Sequence, residues 1–349
     1  MSNCLIIGAY GGEHVGDAAI LGGVIHKIQQ LYQINSLDIL SIRVHRTERW
    51  VDGLELKDKM RVRVLDLYDS GSLSGEYDYL VYAGGPIMDL PFQYSYFLKI
   101  INRIKKNGGK FIIEGVGYGP FKKKISKFLA KKLLQKADQI TARTKEAMES
   151  ITKINDNVEL TRDPAFDYLE FLNKENIPKT DVTKVGINLR PLWDKYNFSS
   201  ISKDEIEEKV ILSIINTIEA ASDKDNVVFY LVPLNSDQFG FSDLNILSRI
   251  KQQYLYNNKV ILCENEFDPT SLYKLISTFD VFISMRFHGC IFGLANGYTH
   301  VVGLDYTIGK KGKVSEILSD RINSNCIGVE DLLSDENAIT NSLHDIFKN

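Results

Sequence analysis

Cysteine and long apolar runs are scarce in this sequence. Four cysteines, Cys4, Cys263, Cys290 and Cys326, are widely spaced over 349 residues without a C-x-x-C pair, which argues against a disulfide framework or a thiolate zinc site. No stretch approaches the roughly 18 apolar residues of a membrane span, and no basic segment precedes the first short apolar run. We therefore expect a soluble protein of the reducing cytoplasm that begins with a strand and not with a signal peptide.

An excess of charge of either sign is also absent. The 42 Lys and Arg residues are nearly balanced by 45 Asp and Glu residues, which leaves a net charge of −3. This balance argues against bulk attraction to nucleic acid. The hydrophobic content of 44% is typical of soluble globular proteins, and the length favours two domains over one.

Short apolar runs alternate with amphipathic helical stretches, as in βαβ units around parallel sheets. The predicted strands are 4–8, 37–42, 62–67, 79–83, 110–115 and 139–142, then 184–189, 227–232, 260–263, 281–284 and 300–304, before a helical tail. A polar stretch, Leu172–Val182, separates the two series. We predict two doubly wound, Rossmann-like α/β domains, residues 1–172 and 183–349, facing a cleft. In such sheets ligands bind beyond the carboxyl ends of the strands.

Glycine-rich turns follow several of the predicted strands. The first contains Gly11 and Gly12 and leads into a helix for which Asp17 is a suitable N-cap. Its spacing matches neither the dinucleotide fingerprint nor a P-loop. Another turn contains Gly84 and Gly85. These turns are either structural strand-to-helix connections or the wall of a ligand site, where a helix N-terminus could bind an anion.

The most informative segment runs from Phe282 to Gly297. Its apolar strand ends just before Arg286 and His288, and a helix rich in small residues follows. A guanidinium beside an imidazole at a helix N-terminus forms a positive pocket for a phosphate or a carboxylate. Arg190 follows the first strand of the second domain, which is usually central, so it can converge with Arg286. The structural alternatives are a histidine that only packs and a surface arginine.

A basic stretch, Pro120–Lys136, contains seven lysines and no acidic residue. Its apolar residues are predicted to gather on one helical face; they are Ile125, Phe128, Leu129, Leu133 and Leu134. Such a helix can lie on an anionic membrane surface. Alternatively, it is a domain helix with a solvated lysine face.

Several of these elements, taken in order, resemble the polysaccharide pyruvyltransferase family. The resemblance rests on Gly16-Asp17, Gly84-Gly85, Arg143, Asp163-Pro164, Arg190 and, most specifically, the S-M-R-F-H run from Ser284 to His288. It implies two domains of the GT-B type and a transferase of surface-polysaccharide synthesis. Members form a cyclic pyruvate ketal on two sugar hydroxyls, with phosphoenolpyruvate as co-substrate and no separate cofactor. Family acceptors are often lipid-linked glycans, which would bring the enzyme to the inner face of the cell membrane.

The resemblance also implies roles for individual residues. Arg190 and Arg286 bind the carboxylate and the phosphate of the donor, because guanidinium groups suit both anions. His288 is the general acid, since an imidazole exchanges protons near neutral pH. No step requires a metal ion. The first domain binds the acceptor, and its predicted substrate-binding residues are Gly11, Gly12, His14, Asp17, Gly84, Gly85 and Arg143.

Three features depart from the family pattern, and all of them bear on the acceptor sugar. One is the run from Asp305 to Gly312, which differs from the Y-D-P-K type of segment in many relatives. His14 stands where asparagine is common, and Pro86 replaces a third glycine. Two other functions are open to a protein of this fold. One is a glycosyltransferase that uses a nucleotide sugar. The other is a non-catalytic glycan-binding or assembly subunit, which explains the pairing of Arg286 with His288 less well.

Overall fold

The chain folds into two compact units. The computed structural model describes all residues except 1, 9, 13, 57–59, 70–72, 74–75, 174–179, 193–200, 222–223, 225, 237–241, 310–311, 320 and 349. The first unit comprises residues 1–12, 16–172 and 268–270, and the second comprises 13–15, 173–267 and 271–349. Most of the stretch predicted as a linker, residues 174–179, lies outside the described residues.

The first unit is built around a parallel sheet. Its strands are β1 (Ser2–Gly8), β2 (Ile34–Ser41), β3 (Arg61–Asp66), β4 (Tyr79–Ala83), β5 (Pro86–Ile87), β6 (Lys110–Tyr118), β7 (Gln139–Ala142) and β8 (Val158–Leu160). Its helices are α1 (Val15–Tyr32), α2 (Val44–Asp52), α3 (Pro91–Lys106), α4 (Lys124–Lys136), α5 (Lys145–Thr152) and α6 (Pro164–Leu172). The strand order is β3-β2-β1-β4-β6-β7-β8, and β5 pairs with β6. The order reverses between β1 and β4, which is therefore the topological switch point.

Burial on both faces explains why the inner strands read as continuous apolar runs. Cys4, Leu5, Ile6 and Ile7 of β1 are all fully buried, as expected for a parallel sheet covered by helices on each side. A glycine lets one of these helices pack closely. A Cβ atom on Gly23 of α1 would lie 1.8 Å from a carbonyl oxygen at the start of α6, so only glycine permits this approach.

The second unit repeats the architecture. Its strands are β9 (Thr183–Asn188), β10 (Val227–Leu231), β11 (Val260–Leu262), β12 (Val281–Ser284), β13 (His300–Asp305) and β14 (Ser324–Gly328). Its helices are α7 (Lys203–Ala220), α8 (Asp243–Gln253), α9 (Pro269–Ile276), α10 (Phe287–Leu294), α11 (Lys313–Leu318), α12 (Val329–Ser334), α13 (Ala338–Ser342) and α14 (His344–Lys348). The order β11-β10-β9-β12-β13-β14 places the switch point between β9 and β12.

The predicted α/β fold with two parallel sheets is confirmed, and β4, β7 and β12 have the predicted bounds. Other elements differ from the prediction. The strands β5 and β8 and the helices α2 and α6 were not predicted, and the supposed helical tail contains the edge strand β14. Within the described parts of the chain, no helix is long and apolar enough to cross a membrane.

Candidate active site

Arg190 and Arg286 follow two neighbouring strands at the switch point of the second sheet. The strands β9 and β12 pair in parallel, with Asn188 opposite Ser284. Each arginine comes two residues after its member of this pair. Because neighbouring strands lie about 4.8 Å apart, the two arginines leave the sheet close together and at the same level. This edge is where ligands bind in doubly wound folds.

The helix α10 begins immediately after Arg286, which is its N-cap residue, and His288 is its second residue. The two side chains are thus placed by the start of a helix, and not by the alternation of side chains along a strand. Gly289 allows α10 to come this close to β12, because a Cβ atom there would lie 2.1 Å from the Ser284 hydroxyl oxygen. The N-terminus of α10 adds partial positive charge to this region.

Arg286 is buried and paired with Asp243, the first residue of α8. Its Nε donates to the two carboxylate oxygens at 3.0 and 2.8 Å, and its Nη2 donates to Oδ1. The Arg286 side chain is 5% exposed, and Asp243 is fully buried. The same carboxylate accepts hydrogen bonds from the backbone N–H groups of Leu234 and Asn235. Arg286 is therefore held in one orientation, and Nη1 is the nitrogen through which it can reach a ligand.

Asn188 and Ser284 extend this buried network. The Asn188 Nδ2 donates to Asp243 at 3.0 Å and to the carbonyl oxygen of Val232 at 2.9 Å. Its Oδ1 accepts from the Ser284 hydroxyl at 3.1 Å, and that hydroxyl accepts from the Arg286 backbone N–H at 3.1 Å. Polar contacts thus join the ends of three strands to α8, and a fully bonded buried network of this kind fixes its members in place.

Arg190 lies against Tyr306, the residue that follows β13. Its guanidinium carbon is 5.4 Å from the centre of the tyrosine ring, and its Nη1 donates to the tyrosine hydroxyl at 3.3 Å. Such a cation–π contact orients a guanidinium group. The neighbouring Asp305 fixes the loop that carries Tyr306, because its carboxylate accepts from the backbone N–H groups of Thr307 and Gly312.

His14 belongs with the second unit, although it directly precedes α1. Its backbone forms an antiparallel bridge with Asn235, and its ring meets the His288 ring edge-on, with the ring centres 5.3 Å apart. Loss of hydration is the main reason that the pKa of His14 lies well below its usual value. The charges of Arg286, His288 and Arg190 lower this pKa further. The structure therefore places His14 beside the predicted donor residues, and not among those of the first domain.

The glycine turns of the first unit lie at its own switch point, between β1 and β4. Gly11 and Gly84 have φ values of +90° and +92°, and Gly85 has a φ of +76°, in the region that favours glycine. Gly12 follows in the same turn as Gly11. Backbone conformation alone therefore accounts for three of these four glycines. Their role in binding a substrate stays a prediction.

Asp17 lies in the first turn of α1, and the prediction that it is the N-cap is wrong because the helix begins at Val15. Its charge acts on Tyr10, a fully buried side chain. Burial raises the pKa of Tyr10 well above its usual value, and the negative charge of Asp17 raises it further. A Cβ atom on Gly84 would lie 3.3 Å from the Tyr10 hydroxyl, so this ring lies over the switch-point turn.

Arg143 forms a buried ion pair within the first unit. Its Nη1 donates to Oδ2 of Asp163 at 2.6 Å, and the two side chains are 5% and 1% exposed. The other carboxylate oxygen of Asp163 accepts from the backbone N–H of Ala165 at 3.0 Å. The pair therefore anchors the start of α6, and substrate binding by Arg143 stays a prediction.

Sequence reasoning missed three residues of the site, namely Asp243, Asn188 and Tyr306. Asp243 is separated from Arg286 by 43 positions, and an Asp in the first turn of a helix is an ordinary stabilising feature. Asn188 and Tyr306 carry a better signal, since each lies at or just beyond the end of a predicted strand on the ligand side of the sheet.

Solved structures similar to this chain define its fold class. The S. aureus MnaA-UDP co-structure is 13% identical, with a TM-score of 0.61, and the match covers 99% of this chain and 88% of that one. The UDP-GlcNAc 2-epimerase from Methanocaldococcus jannaschii is 10% identical, with a TM-score of 0.60 and complete coverage of both chains. The E. coli heptosyltransferase WaaC is 11% identical, with a TM-score of 0.50 and 99% coverage of both. The protein is therefore a two-domain α/β protein of the GT-B fold.

A protein-family model narrows this class. The model described as polysaccharide pyruvyl transferase matches residues 14–307, which include both arginines and both histidines of the site. The chain belongs to this family, and membership implies a transferase of polysaccharide synthesis that acts on a glycan. A search of the curated proteins found no match.

Replacing Asp243 with alanine should strongly destabilise the protein, because Arg286 would remain buried without its counter-charge. We expect the free energy of unfolding to fall by about 3–5 kcal/mol, measured by urea unfolding. The matched control is Asp204→Ala, which removes an exposed acid from the first turn of α7. It should change the free energy of unfolding by no more than about 1 kcal/mol. Equal losses in the two variants would contradict a special role for the buried pair.

The stability of the protein should also depend on the protonation of His14. Its pKa is lowered in the folded state, so below about pH 6.5 the unfolded chain binds a proton that the folded protein does not. Stability should therefore fall as pH decreases from 7 to 5, by up to about 1.4 kcal/mol per pH unit from this one group. In His14→Asn the free energy of unfolding should decrease less between pH 7 and pH 5. The exposed control His344→Asn should show the same decrease as the wild type. Parallel curves for all three proteins would contradict the lowered pKa.

Proposed function

We propose that the protein transfers the enolpyruvyl group of phosphoenolpyruvate to two hydroxyls of a glycan sugar, forming a cyclic pyruvate ketal. One observation carries this proposal. Two arginines and two histidines are gathered at the switch point of the second sheet, beside the N-terminus of α10. Such a cluster suits a small ligand with two anionic groups and a reaction that needs proton transfer.

The donor has a carboxylate and a phosphate, and the two arginines differ in how they are held. Arg286 is fixed by the buried Asp243, so its remaining nitrogen offers a rigid contact to one anionic group. Arg190 stacks on Tyr306, which orients its guanidinium group for contact with the other anionic group. Holding both ends of the donor fixes the position of the carbon that is attacked.

The two histidines can divide the proton transfers. His288 donates a proton to the methylene carbon of the donor, which makes the neighbouring carbon electrophilic. A sugar hydroxyl attacks that carbon and gives its proton to His14, which is neutral at pH 7 because its pKa is lowered. The carbon–oxygen bond to phosphate then breaks, and phosphate leaves with the bonding electrons. A second hydroxyl of the same sugar attacks and gives its proton to the now neutral His288, which closes the ketal ring. His14 returns its proton to the released phosphate.

The first unit supplies the acceptor-binding residues in this proposal. Its switch point has an acidic side chain, Asp17, and tight turns at Gly11 and Gly84 that let a sugar approach the backbone. Asp17 carries the carboxylate that can accept hydrogen bonds from sugar hydroxyls.

The alternative function is transfer of a sugar from a nucleotide sugar. It draws on the names of similar structures, which mention UDP or ADP, but these proteins are at most 14% identical to this chain. At that level similarity extends to the fold alone, and one fold hosts several chemistries. The anion-binding cluster is compatible with a diphosphate, so binding measurements must separate the two functions.

Titration calorimetry with phosphoenolpyruvate, UDP and ADP tests the donor directly. We expect phosphoenolpyruvate to bind and the two nucleotides not to bind. Arg190→Ala should weaken this binding by about 2–4 kcal/mol, as expected when one partner of a charged hydrogen-bonded contact is removed. The control is Arg249→Ala, which removes one exposed positive charge from the same unit and should have little effect. If UDP or ADP binds and phosphoenolpyruvate does not, transfer from a nucleotide sugar replaces the proposed function.

Replacing His288 with glutamine tests the general acid. Glutamine keeps a hydrogen-bonding side chain of similar size but cannot deliver the proton, so turnover should fall by about 10²–10⁴-fold. The KM for phosphoenolpyruvate should change much less, since the arginines carry most of the anion binding. His344→Gln on the exposed α14 is the control for a changed histidine. Retention of more than about a tenth of wild-type turnover, with chemistry rate-limiting, would exclude His288 as the acid.

A further inference from the structure

The helix α4 places an aromatic residue in the middle of its lysine-rich side. Its packed side is formed by Ser126, Ala130, Leu133 and Leu134, which are all buried. Phe128 lies on the opposite side of the helix and is 55% exposed. The prediction that Phe128 shares a packed face with the leucines is therefore wrong. An exposed phenylalanine surrounded by lysines needs an explanation other than the core of the first unit.

Two further apolar side chains are exposed in the same region. Ile125 of α4 is 54% exposed, and Phe92 at the start of α3 is 90% exposed. The starts of α3 and α4 are joined by Asp89, whose carboxylate accepts from the backbone N–H groups of Lys122 and Lys123 at 2.7 and 3.1 Å. These hydrogen bonds lower the pKa of Asp89, so this nearby acid remains charged but is occupied by the backbone.

A groove of about 550 Å³ lies beside Phe128, between α4 and α5. Its polar lining is almost entirely positive and consists of Lys124, Lys127, Lys131, Lys153 and Ser150. Its apolar lining consists of Tyr118, Phe128 and Ile154. Among the described residues that line it there is no carboxylate. Such a groove attracts an anionic group and offers apolar surface directly beside it.

We propose that this surface docks the protein on an anionic lipid bilayer, with a headgroup phosphate in the groove. Charge complementarity is the first argument, since seven lysines lie between residues 120 and 136 and none of the residues between them is acidic. The exposed side chains are the second, because Phe128 and Ile125 enter the interface where lysines meet headgroups. A soluble anion would use the lysines but would leave both apolar side chains in water.

The proposal does not depend on the proposed transferase activity, and vesicle binding tests it without either substrate. The full chain is sedimented with vesicles of phosphatidylcholine, with and without phosphatidylglycerol, at low and at high salt. We expect binding only to the vesicles that contain phosphatidylglycerol, and weaker binding at high salt.

Three variants separate the contributions. Lys127→Gln with Lys131→Gln should weaken vesicle binding by about 25-fold, at about fivefold for each lysine. The matched control is Lys106→Gln with Lys110→Gln, which removes the same amount of charge. These two lysines lie at the amino end of β6, whereas Tyr118 of the groove lies at the carboxyl end of that strand. This control should change binding less than about twofold. Phe128→Ala should weaken binding by about tenfold without altering the net charge.

Each other outcome overturns the proposal. Equal effects of the two lysine pairs would mean that net charge, and not this surface, causes the binding. An unchanged affinity for Phe128→Ala would mean that no apolar side chain enters the bilayer. If the protein does not bind vesicles at low salt but binds inorganic phosphate or pyrophosphate in calorimetry, the groove is a site for a soluble anion. Circular dichroism of each variant confirms folding, which these exposed substitutions should not disturb.

Discussion

The site depends on one buried carboxylate. Asp243 accepts hydrogen bonds from Arg286, from Asn188 and from two backbone N–H groups of the loop after β10. An arginine can be buried at the end of β12 only because this counter-charge is present, since an unpaired buried charge costs several kcal/mol. The loop that Asp243 holds contains Asn235, and the backbone of His14 pairs with that residue. Both the arginine and one histidine of the site are thus positioned by the same carboxylate.

The second constraint is the concentration of positive charge at one sheet edge. Loss of hydration lowers the pKa of His14 most, and the charges of Arg286, His288 and Arg190 lower it further. Because His14 is held neutral, it can accept a proton at neutral pH. A bound dianion would offset the positive charges that surround His14. The same arrangement that destabilises a protonated His14 therefore favours an anionic ligand.

The fold and the family place different limits on function. Proteins at 10–13% identity share the GT-B architecture with this chain, and they include an epimerase and a heptosyltransferase. Architecture supplies a sheet edge where ligands bind, and the side chains at that edge supply the chemistry. In the second unit those side chains are two guanidinium groups and two imidazoles. The first sheet has tight glycine turns and Asp17 at its own edge, and the groove beside α4 in the same unit is lined mostly by lysines and apolar side chains.

The sequence by itself determined the two parallel sheets, because buried strands and amphipathic helices leave periodic patterns that depend only on near neighbours. It also located Arg286 and His288, since they directly follow a strand. Only the tertiary structure decided what these residues meet. The partner of Arg286 lies 43 positions away, His14 joins the second unit although it precedes a first-unit helix, and Phe128 faces solvent. Contacts between distant segments depend on how helices cross a sheet in three dimensions, and local periodicity does not encode them.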